Sequence, residues 1–269
     1  MKAAPAPAAA AASRATVPVI PLEPGCQAVD FLSDVHLRPD APRTFEAWRA
    51  HMLATPAAAV IILGDLFELW IGDDASTHAF EAACLAVLRE SARTRRLAFM
   101  AGNRDFLLGE PVRLSVPMDE LPDPVAVEGF GARLLLAHGD AWCLEDAPYQ
   151  AFRCEVRSAA WQRAFLARPL PERAQLAAGI RQASQARKLS LPDPALWADL
   201  DHDAVVGALR QSGARALVHG HTHRPARHDL GAGLERWVLS DWDLDGPVPR
   251  GDILRWSADG LARHAVTGP

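Results

Sequence analysis

Five short apolar runs in this chain each stop at a small group of Asp, Asn, His and Gly, and the five groups lie far apart in sequence. Residues 28–33 (AVDFLS) lead into Asp34-Val35-His36, and 58–63 (AAVIIL) into Gly64-Asp65. Residues 97–100 (LAFM) precede Gly102-Asn103-Arg104-Asp105, 133–137 (RLLLA) precede His138-Gly139-Asp140, and 216–218 (ALV) precede His219-Gly220-His221-Thr222-His223. Runs of this length predict strands. Helical patterns at 43–53 and 78–95 lie between the first of them, and further strand-like runs follow at 237–240 and 253–256, so the chain reads as α/β. In open α/β sheets the loops at the carboxyl ends of the strands meet in one crevice, so groups distant in sequence come together in space.

The stretch 148–200 breaks the alternation. It holds no strand candidate, shows helical spacing, and is divided by prolines at 169, 171, 192 and 194. The expected organisation is a core made of 27–147 and 201–260, with 148–200 inserted as a helical cap. Residues 1–26 mix alanine with proline and read as a disordered extension rather than a secretory signal, which would carry a continuous apolar stretch.

Composition removes several function classes. A formal charge of −5 gives no global basic field for nucleic acid, so an anionic substrate has to be met locally. Cys26, Cys84, Cys143 and Cys154 form no C-x-x-C pair and are too few for a disulfide scaffold, which favours a reducing compartment. No apolar run approaches the roughly 18 to 20 residues needed to cross a bilayer. A cytoplasmic protein is expected.

The five loops supply Asp34, His36, Asp65, Asn103, His138, His221 and His223, a mixed oxygen and imidazole set too large for one ion. Two cations sharing a carboxylate would use it, and Asp65 is the natural bridge because the glycine before it lets the backbone approach closely. Such a pair activates water and holds phosphoryl oxygens, which suits hydrolysis of a phosphate ester or anhydride. With no thiolate in the set Mn²⁺ is favoured, with Fe, Zn or Mg as alternatives. Each fragment alone has a plainer reading: Asp-x-His or Gly-Asp as a turn, His138 and His219 bonded to backbone carbonyls, Asp140 as a helix cap. Five independent strand ends finishing this way make the joint reading the stronger.

The order Asp-x-His, Gly-Asp, Gly-Asn-Arg-Asp, His-Gly-Asp, Gly-His-Thr-His resembles the calcineurin-like metallophosphoesterases over about residues 28–256. The resemblance implies a β-sandwich flanked by helices with two metals at one edge. It places Asp34, His36, Asp65 and His223 on one ion, and Asp65, Asn103, His138 and His221 on the other, with Asp65 holding the bridging water. Most of that superfamily carries His where this chain has Arg104. Arginine cannot act as a general acid at neutral pH, but its fork can clamp phosphate, which favours a leaving group that needs no proton.

GDLFELWIGDD (64–74), GNRDFLLG (102–109) and YQAFR (149–153) are similar to the UDP-2,3-diacylglucosamine pyrophosphatase subfamily of lipid A synthesis. That likeness implies attack of water on the α-phosphate to give UMP and 2,3-diacylglucosamine 1-phosphate, with two Mn²⁺, by a peripheral protein on the cytoplasmic face of the inner membrane. It further implies substrate contacts at Asn103, Arg104, Asp146, Ser184 and His221, with Arg187 and Lys188 as candidates beside them. The alternative is a soluble nucleotide or phosphoprotein phosphatase on the same scaffold. Trp161, Phe165, Leu166 and Leu170 form an apolar stripe among Arg153, Arg157, Arg163, Arg168 and Arg173. The stripe reads equally as an acyl-chain wall with a cationic rim and as core packing with solvated arginines.

Overall fold

In the computed structural model, residues 17–189 and 198–266 are described, with only the backbone described at 183–185 and 187–189. Twelve strands in that part form two six-stranded sheets. One runs in spatial order β1 (Val19–Pro21), β6 (Val125–Gly129), β7 (Ala132–Ala137), β8 (Ala216–His219), β10 (Leu234–Val238) and β9 (Ala226–Gly231). The other runs β12 (Gly260–Ala265), β11 (Asp252–Ser257), β2 (Ala28–Leu32), β3 (Ala59–Ile62), β4 (Arg96–Met100) and β5 (Met118–Leu121). β2 to β5 are mutually parallel, as are β7, β8 and β10, so their carboxyl ends point one way within each sheet.

The period-two alternation of strands builds three apolar layers. Val29, Phe31, Ile61 and Met100 of one sheet meet Val125, Val127, Leu134, Leu136 and Val218 of the other in the sandwich interior. The alternate residues of the same strands, Leu32, Val60, Ile62, Leu97 and Phe99, face α1 (Pro42–Ala54) and α2 (Ala79–Ala92) through Trp48, Met52, Leu85 and Leu88. On the far side Leu135, Ala137 and Leu217 pack on Val205 and Leu209 of α7 (His202–Ser212). A short α3 (Glu110–Ser115) leads into β5. Strands buried on both faces read as the continuous apolar runs seen in the sequence.

Between the strands of the core, 147–189 holds three helices, α4 (Ala147–Val156), α5 (Ala159–Leu166) and α6 (Leu170–Leu189). Two boundaries differ from expectation. Residues 19–21, read as part of a disordered extension, pair with β6 as an edge strand, because three residues suffice to satisfy an open edge. At the other end the core runs past 260, since β12 pairs with β11 from Gly260 to Ala265. No described helix is long and apolar enough to cross a membrane.

Candidate metal centre

Each of the five loops begins where a parallel strand ends, and the structure brings all seven expected ligands to that edge. Asp34 Oδ1 lies 3.2 Å from His223 Nε2, which in turn lies 3.3 Å from His36 Nε2. Asn103 Oδ1 lies 2.8 Å from His221 Nδ1 and 3.0 Å from His138 Nε2, and Asp65 Oδ1 is 3.7 Å from the same His138 nitrogen. Two groupings have ligand atoms all within 4.8 Å of one another, Asp34 with His36 and His223, and Asp34 with Asp65 and His138. Asp34 is common to both groupings, whereas the sequence reading gave the shared place to Asp65.

The backbone is forced into this shape. Among the described residues seven non-glycine residues have positive φ, and five of them are Asp34, His36, Asp65, His221 and His223, at 51° to 67°. At about 1 kcal/mol or more each, five left-handed residues cost several kcal/mol, a large share of the roughly 5–15 kcal/mol that stabilises a domain. Strain of that size is retained where surrounding bonds over-determine it. Those bonds are present: the Asp105 carboxylate accepts the N–H groups of Asp65 at 3.2 Å, Leu66 at 2.7 Å and Gly102 at 2.9 Å. Asp34 Oδ2 accepts Ser33 Oγ at 2.5 Å and His221 N–H at 2.9 Å, leaving Oδ1 directed at the histidines. A Cβ at Gly102 would overlap Asp65, and one at Gly220 would overlap Asp34 and Ser33, so only glycine allows these loops to touch.

The donor chemistry fits divalent cations. His138 Nδ1 donates to the Leu63 carbonyl at 2.8 Å, which directs Nε2 at Asn103 Oδ1 and Asp65 Oδ1, and in the neutral ring that nitrogen carries the lone pair a cation would take. Burial pushes the Asp65 carboxyl up to about 7, with Asp105 and Asp34 adding to the effect. Burial opposes charge on His138, yet Asp65, Asp140 and Asp34 push it up to about 9. Both shifts describe an excess of buried negative charge that takes up protons unless cations are supplied. Oxygen and imidazole donors without thiolate suit hard or borderline ions.

Arg104 stands beside this edge with its Nε buried and lacking a hydrogen-bond partner, while its N–H donates to Asp65 Oδ1 at 2.8 Å. It lines a cavity of about 650 Å³ that begins at Asn103 and His221 and runs under the helices, past Phe106, Phe152, Trp161, Phe165, Ala177 and Ile180. Asp146 is on the same wall and caps α4, accepting Tyr149 N–H at 3.0 Å. The side chains of Ser184, Arg187 and Lys188 lie outside the described residues.

The arginines of the helical segment depart from both readings of the stripe. Arg153 Nε donates to Asp140 at 2.8 Å, Arg157 to the Gly102 carbonyl at 2.8 Å, and Arg173, 3% exposed, to the Ile71 carbonyl and Asp74. They tie the helices to the core rather than facing water or headgroups; only Arg163 and Arg168 of the five are exposed. Trp161 stacks on Phe165 with centroids 4.7 Å apart and approaches Phe106 at 6.3 Å. Phe67 and Trp70 are core residues. His219, the first His of its motif, donates Nδ1 to the Gly220 carbonyl at 2.8 Å, the plainer reading of that residue.

Sequence reasoning gave no role to Asp105, Glu68 or Asp241. Asp105 stood inside a quoted motif, and its place three residues after the loop glycine Gly102 was the available signal; Asp241 and Glu68 had none, because their partners are distant in sequence.

The calcineurin-like phosphoesterase family model matches residues 28–225, which span all five loops. The chain belongs to the calcineurin-like phosphoesterase family. Among curated relatives it is 43% identical over 237 residues to the UDP-2,3-diacylglucosamine hydrolase of Bordetella pertussis, covering 85% of this chain and 91% of that one. The enzyme of the same name from Ralstonia nicotianae is 42% identical over 249 residues, covering 89% and 92%. That of Stenotrophomonas maltophilia is 41% identical over 244 residues, covering 87% and 98%. A phosphoesterase of this family is implied to hold two metal ions, and the two groupings of ligand atoms at the sheet edge are the candidates for holding them.

Proposed function

We propose that this phosphoesterase hydrolyses the diphosphate of UDP-2,3-diacylglucosamine at the α-phosphate, giving UMP and 2,3-diacylglucosamine 1-phosphate in lipid A biosynthesis. The observation that carries the reading is the cavity of about 650 Å³, which joins a polar edge at Asn103, Arg104 and His221 to an aromatic and aliphatic wall under the helices. One ligand that is anionic at one end and doubly acylated at the other fits that division of surface. The relatives at 41% to 43% identity carry the name of the same substrate.

In this reading Asp34, His36, Asp65 and His223 would hold one cation and Asp65, Asn103, His138 and His221 the other, and Asp34 belongs to both groupings of ligand atoms. Two Mn²⁺ ions there supply polarisation of phosphoryl oxygens and acidification of water. Arg104 Nε, buried and unpartnered, donates to the phosphate being displaced and offsets the charge that develops on it. The P–O bond to the sugar phosphate breaks as the new P–O bond to water forms; the water's proton is released to solvent, and the departing phosphate carries the electron pair away. It needs no proton, consistent with an arginine where a general acid would otherwise stand. Trp161, Phe165 and Phe106 exclude water from the acylated end. Asp146 lines the approach for the sugar and uridine, while the contacts expected of Ser184, Arg187 and Lys188 fall on side chains outside the described residues. The helices α4 to α6 act as a cap inserted in the core, and Leu166, Leu176 and Ile180, exposed on them, favour peripheral contact with the cytoplasmic face of the inner membrane.

Turnover of UDP-2,3-diacylglucosamine in detergent with Mn²⁺ in ¹⁸O-water tests the reading. The expected label is in UMP. Label in the sugar phosphate moves the attack to the other phosphorus, and faster turnover of soluble phosphomonoesters than of the lipid replaces the reading with a general phosphatase.

A further inference from the structure

His36 and His223 face Asp34 with one ring nitrogen and a second carboxylate with the other. His223 Nδ1 lies 3.6 Å from Asp241 Oδ2, and Arg250 of the core grips that carboxylate at 2.6 to 3.1 Å. His36 Nδ1, buried and without a hydrogen bond of standard geometry, lies 3.4 Å from Glu68 Oε2. Glu68 is held differently from Asp241. Its Oε1 pairs with Arg181 Nε at 2.8 Å, and Arg181 belongs to α6.

The backbone of Glu68 cannot follow α6. Its N–H bonds the Leu37 carbonyl at 3.1 Å and Leu37 N–H bonds the Leu66 carbonyl at 2.9 Å, so the residue next to His36 and the residue before Glu68 are clamped together. The carboxylate, 12% exposed, therefore sits between a fixed loop and cap helix α6. Arg181 is 41% exposed and lines that cavity.

We propose that Glu68 is a positioning residue that fixes the direction of His36 and, through Arg181, couples that ligand to cap helix α6. An Nδ1–H directed at Glu68 leaves the lone pair on Nε2, the nitrogen that faces Asp34 and His223. An anionic ligand in the cavity competes with Glu68 for Arg181, so occupancy of the cavity and affinity for the ion on His36 affect each other. The inference rests on the two-cation reading above.

The experiment uses the full chain, stripped by chelator and titrated with Mn²⁺ by calorimetry, with free Mn²⁺ followed by electron paramagnetic resonance. The wild type takes two ions. In Glu68→Gln, which keeps the side-chain volume, one ion weakens about 10- to 100-fold while the other is unchanged. Arg181→Ala weakens the same ion by a smaller factor, and the double variant is no weaker than Glu68→Gln alone, because the arginine acts only through the carboxylate. Two ions bound with wild-type affinity in Glu68→Gln, or both weakened equally, overturns the positioning role. Additive effects in the double variant overturn the coupling. A wild type that takes no Mn²⁺ overturns the metal reading itself, which is a separate result.

Discussion

The loops carrying Asp34, Asp65, Asn103 and His221 are fastened through backbone, whereas α4, α5 and α6 reach the same loops through side chains. Asp105 and Asp34 accept N–H groups from the metal loops, and Gly102 and Gly220 let those loops touch. The helices hang from Arg153 on Asp140, Arg157 on the Gly102 carbonyl and Arg173 on Asp74 and the Ile71 carbonyl. A backbone clamp fixes geometry to a fraction of an ångström, as a pair of ions requires, while long side chains leave the wall of the cavity freer to adjust. Chemistry and recognition are thus separable, and substitutions on the two sides should fail in different ways.

The largest effect is expected at Asp65. Asp65→Ala should lower turnover by on the order of 10³-fold or more and release both ions, as measured by metal analysis of the purified variant. Retention of one ion in Asp65→Ala would transfer the bridge to Asp34, which both groupings of ligand atoms contain. Next is Arg104→Ala. Its Nε hydrogen-bonds no ligand atom, so both ions should stay while kcat falls about 10²-fold, separating a phosphate clamp from a metal-site residue. Loss of metal in this variant would mean that the Arg104 N–H bond to Asp65 depends on its side chain.

On the cap side, Trp161→Ala removes one face of the Trp161–Phe165 stack. The expected result is a KM for the diacylated substrate about 10-fold higher with kcat nearly unchanged, and no change toward a soluble phosphodiester. A fall in kcat for both substrates would show that the cap sets the geometry of the metal loops, and the separation drawn here would not hold.

How far the sequence carried this depends on where a residue sits between neighbours. β2, β3, β4, β7 and β8 are covered on both faces, so they are apolar throughout and were legible; of the five strands missed completely, β1, β5, β9 and β12 are the four sheet edges, and β6, an interior strand, shows only the three-residue apolar run Val125-Ala126-Val127. An edge strand alternates polar and apolar residues weakly, as GLARHA in β12 does, because half of it faces water. The ligand set was legible because its residue types are rare together at strand ends. Asp105, Glu68 and Asp241 were not, because a carboxylate that orients a ligand looks in sequence like any surface acid. The arginines of α4 and α6 misled for the same reason: Arg173 has an ordinary neighbourhood in sequence, and only the fold brings Asp74 and Ile71 to it.

The smallest effect tests the junction between the two regions. Asp123 is partly buried, its Oδ2 is fully enclosed without a hydrogen-bond partner, and burial pushes its carboxyl up to about 6, with Asp140 adding to the shift and His138, Arg153 and Arg157 opposing it. Its unfolded value is about 3.9, so the folded chain binds the proton more tightly. The stability that this proton contributes is complete below about pH 4 and is lost as pH rises through 6. A shift of about 2 units corresponds to roughly 3 kcal/mol at neutral pH, and Asp123→Asn removes the ionisation that causes it. Thermal unfolding should therefore show Asp123→Asn melting several degrees above wild type at pH 7.5 and level with it near pH 4, with kcat unchanged. Destabilisation at pH 7.5 would instead make Asp123 a counter-charge for Arg153 and Arg157, and α4 would then be anchored to the core by Asp123 as well as by Asp140.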